Sequence, residues 1–322
     1  GPAHTQRAHE CHKRSRSPSS GLAHLWMLVG VALLICLSYN LASAVKGGGI
    51  WVKGLPYTST GLNIVQIPRL KKGDLTVPEF FEKYGDMPVI IEGEVSEHPF
   101  IQLGMGFESI ADICGSSFID TVVYSASSVT WAGHKDQILM PVNEFIHNYI
   151  LHNTSSEMRY GHSATFGLPQ FCPRLGQYMP VPKLGSKRLP KWGSYTDLGQ
   201  PTLFMGTANT KSELHADGGL LPFWLSVYVG SKTFRIIRFE DGFAHVGAEV
   251  ADLTRLGRSV FDADLNKFVE KRLEIWEPDV SVFPELSNLP VYEGTAHAGD
   301  LLYLPSGALH GVFNEEASFC ST

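Results

Sequence analysis

His215 and Asp217 are the first residues of this chain to raise a chemical question. They sit in Leu214-His215-Ala216-Asp217, and a further histidine, His310, follows the run Gly299-Asp300-Leu301-Leu302-Tyr303-Leu304-Pro305. On an extended strand, residues two apart share a face, so His-x-Asp presents an imidazole and a carboxylate together. A histidine on a neighbouring strand completes a set of two imidazoles and one carboxylate. Such a set holds Fe(II) by one face and leaves the other open to exogenous ligands and oxygen chemistry. His215, Asp217 and His310 are therefore the candidate metal ligands and the candidate catalytic residues.

His-x-Asp alone is a weak signal. The chain has 13 histidines, enough for chance pairings, and His134-Lys135-Asp136 has the same form. The neighbours of His215 separate the two. Residues 223–229 read as a strand, Gly230 as a tight turn, and Lys232 opens the next strand, a largely apolar one. A buried ammonium needs an anion to meet it. A ligand carboxylate is such an anion; a solvated lysine at a strand end is the other reading. Downstream, 301–304 reads as a buried strand, Pro305-Ser306-Gly307 as a turn, and His310 opens the following strand. His134 has no such surroundings.

The elements that must position these groups are short. Thr76-Val77-Pro78-Glu79 is a capping box, so the pattern predicts a helix over Val77–Tyr84 ending at Gly85. Val89-Ile90-Ile91 reads as a buried strand, Phe107–Cys114 as a helix, Phe118–Tyr124 as a strand, and 143–150 as a helix entered at Pro141. From about residue 158, short apolar runs alternate with Gly, Pro and polar breaks: 202–205, 224–229, 233–239, 301–304 and 310–313. Many short strands with turn signals predict a sandwich or small barrel. Residues 248–290 interrupt the strands, and the spacing over 260–273 predicts a helical insertion. Trp224 reads as core, and His297 as a strand residue and not a ligand.

Composition bounds the rest. With 43% apolar and 18% charged residues, the chain fits a globular body and not a disordered one. A formal charge of −6 argues against broad nucleic-acid binding, which needs a basic face. Residues 1–21 form a polar tail with Lys13, Arg14 and Arg16; its His4, His9, Cys11 and His12 are read as tail residues and not as a metal cluster. Residues 22–45 are apolar and uncharged between those flanks. They are long enough to span a bilayer at roughly 20 residues, and Ala42-Ser43-Ala44 also offers a signal-peptide cleavage site. Both readings put everything after residue 45 in the secretory lumen or outside the cell; the long polar lead favours a single-pass anchor. Asn153-Thr154-Ser155 is a glycosylation sequon in keeping with that placement. Cys114 and Cys172 are either a disulfide or buried thiols.

At this point the chain resembles the JmjC-domain (cupin-like) iron and 2-oxoglutarate dependent oxygenases. The resemblance spans about residues 74–322 and is carried by His215-x-Asp217, Gly230-x-Lys232 and Gly299-Asp300-Leu301-Leu302-Tyr303-Leu304-Pro305 with His310. It is closest to the small JmjC-only hydroxylases, and the stretch from Asp74 to Gly93 also looks like that group. The resemblance implies a mostly β fold with flanking helices, a double-stranded β-helix or jelly-roll barrel, preceded by the hydrophobic N-terminal segment. The Gly47-Gly48-Gly49 run makes 46–73 a linker, and the resemblance implies an N-terminal α/β part at 74–157 and the barrel at 158–322. It implies Fe(II) on His215, Asp217 and His310, and 2-oxoglutarate held by Lys232, with Ser212 and Tyr160 as further cofactor-binding residues. The expected activity is hydroxylation of a protein side chain, coupled to oxidative decarboxylation of 2-oxoglutarate with O2, and it should fall in acid because the histidines must be neutral to bind metal. Two features depart from the pattern. Phe223 stands where a polar residue is common, and 318–322 reads as a final strand cut short, which predicts an open barrel edge. A catalytically silent binding module and a histone or protein lysine demethylase are the alternatives.

Overall fold

Thr76 starts the first helix, α1 (Val77–Tyr84), as its sequence demands. Its backbone N–H donates to the Glu79 carboxylate at 2.8 Å, and its hydroxyl oxygen accepts the Glu79 N–H at 3.5 Å. Both halves of the capping box are thus made. α1 buries Phe80, whose ring meets Tyr303 at 5.3 Å and Trp224 at 5.7 Å. Tyr303 in turn donates its hydroxyl to Gly85 O at 2.8 Å, tying the end of the helix to the sheet beneath.

This computed structural model describes residues 59–124, 137–152, 158–163, 171–182, 184, 201–217, 222–246, 258–271 and 273–322. All belong to a unit spanning Ile50–Thr322. The tail, the apolar segment 22–45, His134 with Asp136, and the sequon at Asn153 lie outside the described residues. Among the described residues no helix is long and apolar enough to cross a membrane.

The described residues are mostly β, in fifteen strands. They are β1 (Asn63–Gln66), β2 (Arg69–Lys71), β3 (Val89–Glu92), β4 (Phe118–Tyr124), β5 (Ile138–Pro141), β6 (Met158–His162), β7 (Leu203–Gly206) and β8 (Phe223–Val229). The rest are β9 (Ser231–Ile237), β10 (Arg258–Asp262), β11 (Lys267–Lys271), β12 (Pro290–His297), β13 (Leu301–Leu304), β14 (Leu309–Phe313) and β15 (Ser318–Ser321). One sheet has nine strands in the order β2-β3-β13-β8-β15-β7-β6-β4-β5. A second has four, β1-β12-β9-β14, and β10 and β11 pair alone. One apolar core takes Ile90, Leu225, Val227, Leu302 and Cys320 from the large sheet and Phe234, Ile236, Tyr292 and Ala296 from the small one. The two sheets therefore pack face to face in the manner of a β-sandwich.

Strand alternation explains why these segments read as unbroken apolar runs. In β13, Leu302 and Leu304 face the inter-sheet core, while Leu301 and Tyr303 face the cluster under α1. Both faces are covered, so no polar alternation is left. The far side of the large sheet is covered by α2 (Phe107–Cys114), which packs its Ile110 and Cys114 with Phe145, Met205 and Phe319. A Cys114–Cys172 disulfide links that helix to the segment carrying Leu175, which decides between the two readings of these cysteines.

Four expectations change. The segment 260–273 is not helical: β10 and β11 form an antiparallel hairpin with Val260 opposite Val269 and Phe261 opposite Phe268. Turn chemistry overrides the helical spacing there. The Asp262 carboxylate accepts the N–H groups of Asp264 and Leu265, both at 3.0 Å, and Asn266 takes a left-handed φ of 48°. Phe239 does not end a strand; it opens a helix, Phe239–Val246. The helix expected at 143–150 is present, but it changes from α over Val142–Phe145 to π over Ile146–Leu151. The open edge expected at the last strand is closed as well: β15 lies between β7 and β8 and bonds to both.

Candidate metal site and its buried lysine

His310 enters the site because β14 pairs with β9. His310 lies opposite Ile236, and both face the inter-sheet core. The segment before His215 runs antiparallel along the free side of β14. Lys211 bridges Phe313, and His215 bridges His310 through N–H···O bonds of 3.0 and 2.8 Å. Directly opposed residues share a face, so the two imidazoles stand together with ring centroids 4.3 Å apart. Asp217, two residues on, brings its carboxylate to 3.8 Å from His215 Nε2 and 4.0 Å from His310 Nε2.

The three ligand atoms lie within 4.8 Å of one another, and the group could hold a metal ion. The outer hydrogen bonds favour that use. His215 Nδ1 bonds to Glu213 O at 2.7 Å and His310 Nδ1 to Ala308 O at 3.4 Å. A carbonyl accepts only, so each Nδ1 carries the proton and each Nε2 turns a lone pair toward Asp217. Burial, and then the neighbouring His215, push the proton affinity of His310 well below the ordinary histidine value. It is held in the neutral form, the one that can bind a metal. Side-chain exposure is graded: 3% for His310, 22% for His215 and 44% for Asp217. The site opens on the Asp217 side.

Lys232 lies in the same core. Alternation along β9 puts it on the face of Phe234 and Ile236, and it is fully buried. Its ammonium donates to the Tyr160 hydroxyl at 3.2 Å and sits 5.0 Å from the centre of that ring. Cys320 faces the same core. Among the described residues no carboxylate pairs with Lys232. Burial lowers its proton affinity in consequence, and raises that of the Tyr160 hydroxyl. The charge of Asp217 adds to the rise at Tyr160, after burial.

Ser212 holds structure directly. Its N–H donates to Val312 O at 2.7 Å, its hydroxyl oxygen accepts the Val312 N–H at 2.9 Å, and its carbonyl accepts Trp276 Nε1 at 2.9 Å. These bonds fasten the segment that carries His215 to β14. Phe223, which replaces the expected polar group, sets its ring 5.7 Å from that of His310. Trp224 packs at 4.5 Å on Tyr303, as core. His297 ends β12 and donates its N–H to Asp300 at 3.2 Å. Sequence reasoning missed Cys320. The only signal was its place in the apolar pair Phe319-Cys320, in a stretch read as an interrupted strand. A scan of protein-family models finds none that matches this chain.

Proposed function

We propose that this protein is an Fe(II)- and 2-oxoglutarate-dependent oxygenase that hydroxylates a protein side chain in the secretory lumen, and that its two-sheet sandwich is a double-stranded β-helix. One observation carries the reading. A converged His-Asp-His group shares its core with a fully buried lysine that donates to the Tyr160 hydroxyl and, among the described residues, pairs with no carboxylate. A buried ammonium is poorly served by neutral acceptors, and a ligand carboxylate answers it with a charge-assisted bond. A metal-binding group alone does not call for such a lysine; a metal plus an anionic co-ligand does.

In this reading His215, Asp217 and His310 hold iron. Lys232 pairs with the distal carboxylate of 2-oxoglutarate, Tyr160 flanks it, and Ser212 fixes the strand between them. Iron with 2-oxoglutarate and O2 supplies oxidative decarboxylation coupled to C–H hydroxylation. The chain's own residues keep two imidazoles neutral, give one counter-charge, and exclude water on the His310 side. The exposed Asp217 side is where a protein substrate would approach. Lumenal placement is supported by the Cys114–Cys172 disulfide, since such bonds persist in oxidising compartments, and by the apolar segment 22–45, which makes a membrane its partner if not cleaved. A glycan on Asn153 in secreted or membrane-bound protein is the expected sign; an unmodified Asn153 in a cytosolic pool contradicts the placement.

The activity test is iron-dependent release of succinate from 2-oxoglutarate by the full chain. His215→Ala should reduce it to background. Absence of release from the iron-loaded wild-type chain overturns the proposal.

A further inference from the structure

We propose that the hairpin of β10 and β11 docks on a bilayer: Phe261, Leu265 and Phe268 sit in the headgroup layer of a phosphatidylcholine membrane and hold the domain against it. This rests on the reading of residues 22–45 as an uncleaved membrane anchor.

β10 and β11 pair with each other and join neither of the other sheets. Successive residues of a strand point to opposite faces. The Val260–Val269 pair is half-buried, and the Phe261–Phe268 pair beside it points the other way. Phe261 is 52% exposed, Phe268 70% and, in the turn, Leu265 58%. The two rings meet edge to face at 5.4 Å. A lone exposed apolar residue is ordinary, but three on one short hairpin make a patch that marks a contact surface. The Asp262 carboxylate fixes the turn by accepting the N–H groups of Asp264 and Leu265, so the patch is built before it meets a partner.

The way the chain enters the domain identifies that partner. Leu62 and Val280 both pack against the cluster around Trp276 and Phe283. Gly61 approaches Val280 so closely that a Cβ there would stand 2.7 Å from it. Asp279, next to Val280, accepts the Lys271 ammonium at 2.9 Å, at the foot of β11. The hairpin thus springs from the side of the domain where the chain arrives from residues 22–45. The chain between Val45 and Ser59 reaches at most about 50 Å even when extended, at about 3.3–3.6 Å per residue. A bilayer holding residues 22–45 is then always within reach, and tethering gives it a high effective concentration. Modest apolar contact suffices under those conditions. Charge selects the headgroup. Over 258–271, Arg258, Lys267 and Lys271 are matched by Asp262, Asp264 and Glu270. No basic cluster calls for an anionic lipid, and the exposed Lys267 can lift its ammonium to water while its stem lies along the apolar layer.

The test uses the full chain reconstituted in phosphatidylcholine vesicles. Cys11→Ser and Cys36→Ser leave a single accessible thiol, placed in the turn by Ala263→Cys or, as an equally exposed control elsewhere, by Leu103→Cys. Each carries a fluorescent dye. Spin-labelled phosphatidylcholine should quench the dye at position 263 at least about threefold more than the dye at position 103, since docked apolar groups lie about 5–10 Å into the interface. Adding phosphatidylserine should not strengthen the effect. Phe261→Ser with Phe268→Ser should abolish the difference and leave succinate release unchanged. Equal quenching at the two positions, in a chain that floats with the vesicles, overturns the hairpin proposal while the anchor reading stands. Quenching at 263 that survives the double serine variant also overturns it. Should that variant not fold, the comparison of positions 263 and 103 in the unaltered hairpin decides. Energy transfer between dyes at position 263 of two copies, in place of lipid quenching, makes a second copy the occupant and overturns the proposal. A full chain that does not float with the vesicles overturns both the proposal and the anchor reading.

Discussion

Removing the Lys232 ammonium should not weaken the fold. A fully buried cation that donates to a hydroxyl and, among the described residues, pairs with no carboxylate carries an uncompensated desolvation cost. Lys232→Met keeps an apolar stem of similar length between Phe234 and the opposing sheet. In the absence of ligand its Tm should equal or exceed that of wild type, read by calorimetry; a clear fall would show that the ammonium is structural. His310 gives a pH prediction of definite sign. Burial depresses its proton affinity in the fold, whereas the unfolded chain has the ordinary value of 6.5. As pH falls below 6.5, the unfolded state takes up a proton that the folded state refuses, so stability is lost from there down to the depressed folded value. The metal-free chain should therefore lose Tm below pH 6.5, and His310→Phe should flatten that part of the profile. Metal should dissociate in acid for the same reason, as protons compete for the imidazoles.

Elements were legible in the sequence where local chemistry decides them. The Thr76–Glu79 capping box gave the exact helix it promised, and it matters beyond its own turn. α1 places Phe80 against Tyr303, and Tyr303 belongs to the strand that leads to His310. Thr76→Ala should destabilise the protein by about 1 kcal/mol, with metal affinity unchanged; equal Tm values would show that the cap does not anchor α1. The candidate metal-binding triad was legible for the same reason: His-x-Asp needs only strand alternation, and the strand-turn-strand before His310 is written in Gly, Pro and apolar residues. What stayed hidden depends on pairing between distant segments. The 258–271 hairpin hides behind helical spacing because Asp262 and Asn266 act through turn geometry. Nothing local to Phe319-Cys320 says that β7 and β8 will close on either side of it. The place of the Cys320 thiol on the inter-sheet core was invisible accordingly.

At the scale of the molecule, two sheets enclose one core, and the face of the large sheet away from that core is stapled. The Cys114–Cys172 bond closes a loop of sequence separation 58 and fastens α2 to the segment beyond it. In the chain-entropy account a loop of that length contributes about 4 kcal/mol. Reduction should lower Tm markedly, and a Tm indifferent to reductant would contradict a folded-state disulfide. The triad and Lys232 lie on the other side of the large sheet, inside the sandwich, so metal binding should outlast mild reduction below the lowered Tm. The central claim is that one core holds both a metal and the carboxylate of a 2-oxo acid. The most direct measurement is the visible charge-transfer absorption that forms when a 2-oxo acid chelates Fe(II) under anaerobic conditions. Wild-type chain with Fe(II) and 2-oxoglutarate should develop the band; His215→Ala should not, for want of metal. Lys232→Met should retain iron but require far more 2-oxoglutarate to reach the same absorbance. A wild-type chain that binds Fe(II) yet shows no band, or a Lys232→Met titration that overlays wild type, contradicts the account.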